Sequence, residues 1–89
     1  MAEGISIIAT PGHTSRDVSV IVNASIGTVA VVGDLFESED DIRDESLWRR
    51  SSEDQAVQYQ SRQRVLQLAD YIVPGHGSMF AVAGAHRPR

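Results

Sequence analysis

The 89-residue chain has no cysteine, which excludes disulfides and any zinc site built from thiolates. Lysine is also missing. All eight basic residues are arginine, a bias for which composition offers no physical account. The net charge of −4 argues against a general nucleic-acid-binding surface, which is normally basic. No apolar run approaches the roughly 18 residues needed to span a bilayer, so no membrane partner is expected. Met1-Ala2-Glu3-Gly4 lacks the basic and apolar regions of a signal peptide, and the expectation is a soluble protein of the cytoplasm or nucleus. Histidine is scarce too: there are only His13, His76 and His86.

What is present is an apolar share of 42%, enough for a globular domain and gathered into short blocks. A chain of this length buries only roughly 60–65% of its unfolded surface, so its stability is marginal. Ile5 and Ile7, then Val18, Val20 and Val22, alternate with the period of two that marks strands. The block Thr28-Val29-Ala30-Val31-Val32 is nearly continuous, as in strands covered on both faces. One short chain supplies less cover than that requires.

Three of the strand-like blocks end in a turn that carries glycine and an ionisable side chain. Thr10-Pro11-Gly12-His13-Thr14 follows residues 5–9, Gly33-Asp34 follows 28–32, and Pro74-Gly75-His76-Gly77 follows 71–73. Imidazole and carboxylate are ligands of hydrolytic zinc, and glycine lets the backbone turn sharply or approach closely. If 5–9 runs up a sheet, the first turn sends 18–22 down. Residues 23–27 have the composition of a hairpin loop and send 28–32 up again. A helical crossover then returns 71–73 parallel to its predecessor. His13, Asp34 and His76 are thereby expected at one edge of one sheet, where they could meet around an ion.

Between these blocks, Glu37, Glu39, Asp40, Asp41, Asp44 and Glu45 form an acidic run without periodicity, read as a solvated loop. No calcium-loop spacing is present in it. Leu47 and Trp48 are expected to anchor its far end, and Phe36 reads as core packing beside the second turn. Ser15-Arg16-Asp17 joins two strands, with Asp17 read as a turn carboxylate. Ser51-Ser52-Glu53-Asp54-Gln55 reads as a helix start, Ser52 and Gln55 fitting a capping box and Glu53 and Asp54 suiting the positive helix end. The helix should run to Leu68 or Ala69. Its apolar face would comprise Val57, Val65, Leu66, Leu68 and Ala69, with Gln58, Arg62 and Arg64 turned outward. Residues 81–89 read as a flexible tail, in which His86 has no partner pattern.

The three turns, their order and the crossover before the last resemble the third, fourth and fifth metal motifs of the metallo-β-lactamase superfamily, over residues 4–80. Within it, His13 followed by Thr-Ser-Arg-Asp-Val-Ser-Val is similar to a branch that cleaves RNA, specifically histone pre-mRNA. Glyoxalase-II-type thioesterases share the same turns. The resemblance implies an α/β fold: half of an αββα sandwich, a mixed sheet of about four strands with one main covering helix. It implies two zinc ions, with His13 completing one metal shell, His76 the other, and Asp34 bridging both as the catalytic ligand. The metals would activate a water to attack a phosphodiester or a carbonyl.

The superfamily's His-x-His-x-Asp-His motif, which supplies four further ligands, is absent from the chain. The chain thus reads as the C-terminal half of a zinc-dependent hydrolase, inactive and weak in zinc binding when alone. A competing reading is a non-catalytic isoform acting as a binding module. A third is a small α/β domain whose glycine turns are only structural. The expected partners are RNA as substrate and the missing N-terminal half, or a second copy in a homodimer packed through an exposed sheet face.

Overall fold

The computed structural model describes residues 4–82, so His86 and positions 83–89 lie outside the described residues. Five strands form one mixed sheet in sequence order: β1 (Ile5–Ala9), β2 (Val18–Ala24), β3 (Gly27–Gly33), β4 (Tyr71–Pro74) and β5 (Phe80–Ala81). The first three pair antiparallel, β3 and β4 run parallel, and β5 returns antiparallel. The expected up-down-up-helix-up order is therefore observed. The loop read at 23–27 is tighter than expected, because β2 continues through Asn23 and Ala24 and pairs with Thr28 and Gly27. The two-residue β5 makes the sheet one strand larger than expected, and Ala81 belongs to it.

Three helices occupy the crossover: α1 (Asp40–Arg43), α2 (Ser46–Arg49) and α3 (Gln55–Leu68). The acidic run is thus partly helical, and it is not wholly solvated, because Asp41 is buried. α3 starts later than the Ser52–Gln55 capping box required. Asp54 is the N-cap, its carboxylate accepting from Val57 N at 3.1 Å. Ser52 Oγ instead donates to Gly12 O, and Gln55 Nε2 donates to Arg49 O.

The core lies between α3 and one sheet face, where Ile21, Ala30, Val32, Leu35, Phe36, Val65, Leu66, Ala69, Ile72 and Phe80 are buried. Trp48 is fully buried, as an anchor should be, whereas Leu47 and Leu68 are exposed. The outward reading of Gln58 and Arg62 is overturned: both are buried. They lie one and two turns before Val65, Leu66 and Ala69 on the same helix face, where the Arg62 guanidinium meets Leu35 O and Asp41 and Gln58 Nε2 meets Leu35 O, while Gln58 Oε1 is buried without a partner. The opposite sheet face carries Ile5, Ile7, Val18 and Val31, all exposed. No helix among the described residues is long and apolar enough to cross a membrane.

Candidate metal centre

The C-terminal ends of β1, β3 and β4 share one edge of the sheet, and the three expected donors stand on it. His13 belongs to the turn after β1. That turn is closed by Thr10 N–H donating to Asp17 O and Gly12 N–H donating to Thr14 O. Asp17 also accepts from Thr14 N at 2.6 Å and Thr14 Oγ1 at 2.8 Å, so it is the turn carboxylate the sequence suggested. The turn packs against the start of α3. Asp54 N–H donates to Gly12 O, Glu53 N–H donates to His13 O, and Ser61 Oγ donates to Pro11 O. Gly12 has φ +141°, and a Cβ there would collide with the backbone and Cβ of Gln58. Only glycine allows the turn to approach the helix this closely.

Asp34 follows β3, whose pairing with β4 slips between Val31 and Gly33. Such irregularities redirect side chains at the ends of strands. His76 follows β4, and its turn is bonded to the segment after Asp34: Gly75 N–H donates to Phe36 O and His76 N–H to Glu37 O. A Cβ on Gly75 would collide with Asp34 Oδ1. The last turn therefore leaves a cradle that the carboxylate fills.

The outcome is a symmetric arrangement about Asp34. His13 Nε2 lies 3.5 Å from Oδ2, and His76 Nε2 lies 3.0 Å from Oδ1. Two ligands of one tetrahedral zinc ion, with bonds of about 2.0–2.2 Å, stand roughly 3.3–3.6 Å apart. Each imidazole–carboxylate pair is close to that spacing, and its nitrogen and oxygen donors suit a borderline divalent ion. Because the imidazoles face opposite oxygens, the residues fit two half-shells rather than one site. Among the described residues, no group of three or more His, Cys, Asp or Glu converges to hold a single ion. His76 is largely exposed and Asp34 partly so, whereas His13 is mostly covered and its Nδ1 is buried without a hydrogen-bond partner. A cleft of about 260 Å³ lies between the His13 turn and the start of α3, lined by Pro11, Gly12, Thr14, Ser15, Glu53, Asp54 and Val57, and none of the three donors lines it.

Sequence reasoning missed the polar seam of α3 behind these turns. Gln58 Nε2 and Arg62 Nη1 both donate to Leu35 O, at 3.3 and 2.8 Å. Arg62 Nη2 donates to Asp41 O at 3.1 Å and to Asp41 Oδ1 at 3.0 Å, and Asp41 Oδ2 accepts from Glu37 N at 2.7 Å. The guanidinium also lies over the rings of Phe36 (4.1 Å) and Trp48 (4.6 Å). Burial pushes the Arg62 pKa below the usual arginine value, and its contact with Asp41 opposes that shift. The available signal was spacing: positions 58, 62, 65, 66 and 69 recur at helical intervals.

Comparisons with known proteins identify the family and the fold. The family model "Metallo-beta-lactamase superfamily" matches residues 1–76. The chain is 50% identical over 84 residues to Metallo-beta-lactamase domain-containing protein 1 of Rattus norvegicus, covering 92% of this chain and 32% of that protein. For the Homo sapiens protein of the same name the identity is 50%, over 92% of this chain and 30% of its relative. An uncharacterized Caenorhabditis elegans protein is 35% identical, with 92% and 24% covered. The chain thus spans about a third or less of the length of these relatives. Among solved structures, a B. thuringiensis AiiA mutant with N-decanoyl-L-homoserine bound at the active site superposes with TM-score 0.66 at 20% identity. An N-acyl homoserine lactone hydrolase with its product N-hexanoyl-L-homoserine bound at the catalytic metal center gives the same values. Each superposition covers 86% of this chain and 32% of the other, and at that identity it speaks for the fold alone. By its family match, its relatives and its half-sandwich architecture, the chain belongs to the metallo-beta-lactamase superfamily.

Proposed function

We propose that the chain is the C-terminal portion of a zinc-dependent hydrolase that acts as an endoribonuclease on histone pre-mRNA. One observation carries the metal-dependent part: the two oxygens of Asp34 each face the Nε2 of an imidazole delivered by a different turn. His13 and Asp34 Oδ2 would hold one ion, and His76 and Asp34 Oδ1 the other. When bound, the pair would supply a water ionised near neutral pH and positive charge for the oxygens of the scissile group. The chain's own part is to orient those donors. The cradle at Gly75 leaves room for the carboxylate, and the Glu53 and Asp54 amides fix the turn that presents His13.

The RNA reading rests on the resemblance of the segment after His13 to the RNA-cleaving branch. Two donors per ion fall short of a tetrahedral shell, so the remaining ligands must come from the part of the fold that carries the His-x-His-x-Asp-His motif. We infer that the same part covers the bare sheet face. The relatives extend over roughly three times the chain's length, and exposed apolar faces of this kind mark interfaces. On this reading a homodimer is the less favoured partner.

The test assembles the chain with that complementary segment and offers three substrates: RNA spanning a histone pre-mRNA processing site, a thioester and an acyl lactone. Zinc-dependent cleavage of the RNA, lost by at least about 100-fold in Asp34→Ala, is the expected result. Turnover confined to the thioester or the lactone would replace the nuclease reading with a carbonyl hydrolase. Full RNA cleavage by Asp34→Ala would overturn the role of the carboxylate.

A further inference from the structure

The segment that carries Asp34 is gripped from behind by a buried ion pair. Arg62 holds the carbonyl of Leu35, immediately after Asp34, and Asp41 holds the amide of Glu37. Phe36 between them is pinned under the guanidinium. The far side of the same segment accepts the amides of Gly75 and His76. Ser61, the neighbour of Arg62 on α3, holds Pro11 in the turn that carries His13. One helix face therefore touches the first two donor turns directly and reaches the third through the segment 35–37.

A buried ion pair is a poor way to gain stability, since desolvating two charges offsets much of their attraction and an apolar replacement is often neutral or better. What it does supply is fixed geometry, because the guanidinium fork donates in defined directions to the Leu35 and Asp41 carbonyls and to the Asp41 carboxylate. Groups hydrogen-bonded to a metal ligand orient it, and their loss commonly lowers metal affinity by about 10–100-fold; the Arg62–Asp41 pair stands one residue further out, on Leu35 and Glu37.

We propose that Arg62, with Asp41, is a positioning residue that sets where Asp34 stands between His13 and His76, and so sets the metal affinity of the centre. This rests on the metal-dependent reading above. The pair touches neither ion nor substrate; it acts through Leu35 and Glu37.

The test is NMR of the full chain, following the imidazole Cε1–H and Nε2 signals of His13 and His76 without metal and during a Zn²⁺ titration. Arg62→Lys keeps the positive charge but loses the fork. Ile72→Val provides a control that loosens the same core without touching the pair. In Arg62→Lys, both metal-free imidazole signals should move toward their positions in Asp34→Ala, while the amides of β1–β4 keep their shifts. Zinc affinity should fall by about tenfold. Asp41→Asn, which preserves side-chain shape, should move the same signals and reads the link even if Arg62→Lys does not fold. Imidazole signals that shift no more than in Ile72→Val, with wild-type zinc affinity, would overturn the proposal. An Asp34→Ala variant with unchanged zinc binding would instead overturn the metal reading. The metal-free signals would still decide whether Arg62 positions Asp34.

Discussion

The two faces of the sheet are written in nearly the same alphabet and meet opposite fates. Toward α3, Ile21, Ala30, Val32, Ile72 and Phe80 are buried. On the other side, strand register aligns Ile5 with Val22, Ile7 with Val20, Val20 with Val31 and Val31 with Val73, a continuous field of branched apolar side chains. Ile7 is 68% exposed and Val31 41%. A sheet meant to face water alternates apolar with polar residues, whereas one covered on both sides does not. The strands are therefore composed for two layers of cover, of which this chain provides one. The polar side chains on the α3 side teach the complementary point. Thr10 and Ser19 are fully buried there and hydrogen-bonded to each other at 2.7 Å, so a covered face tolerates polarity once it is paired.

The contrast can be sharpened by substitutions on either face. Ile72→Ala, in the covered face, should lower unfolding free energy by about 2–5 kcal/mol in denaturant melts, since it opens a cavity under α3. Asp54→Ala removes the N-cap of that covering helix and should cost about 1 kcal/mol, visible as earlier loss of helical circular dichroism. Ile7→Ala, on the bare face, should change the stability of the chain alone, at concentrations too low for self-association, by no more than about 0.5 kcal/mol. In the assembly with the complementary segment the same change should cost about 2 kcal/mol or more, because Ile7 then becomes core. Equal effects of Ile72→Ala and Ile7→Ala in the chain alone would erase the distinction between the faces.

Much of this was legible in the sequence where the physics is local. Period-two alternation located β1 and β2, and the glycine turns located His13, Asp34 and His76. What escaped depended on partners distant in sequence. Asp41 looks like one acid among six until Arg62, 21 residues on, is placed against it. Gln58 and Arg62 read as outward by residue type, although their spacing puts them on the buried face with Val65 and Leu66. At the helix start, Asp54 prevailed over Ser52 because Ser52 was taken up by Gly12 O. β5 has two residues, too few to show any period.

The chain reads as one layer of a two-layer fold, with an uncovered sheet face and, as proposed above, an open metal centre. Sedimentation velocity in the presence of zinc, on the chain alone and mixed with a segment bearing the His-x-His-x-Asp-His motif, tests it most directly. The folded chain alone should self-associate, and the mixture should give a compact one-to-one complex retaining two zinc ions. A chain that stays monomeric on its own and ignores the segment would overturn the two-layer reading.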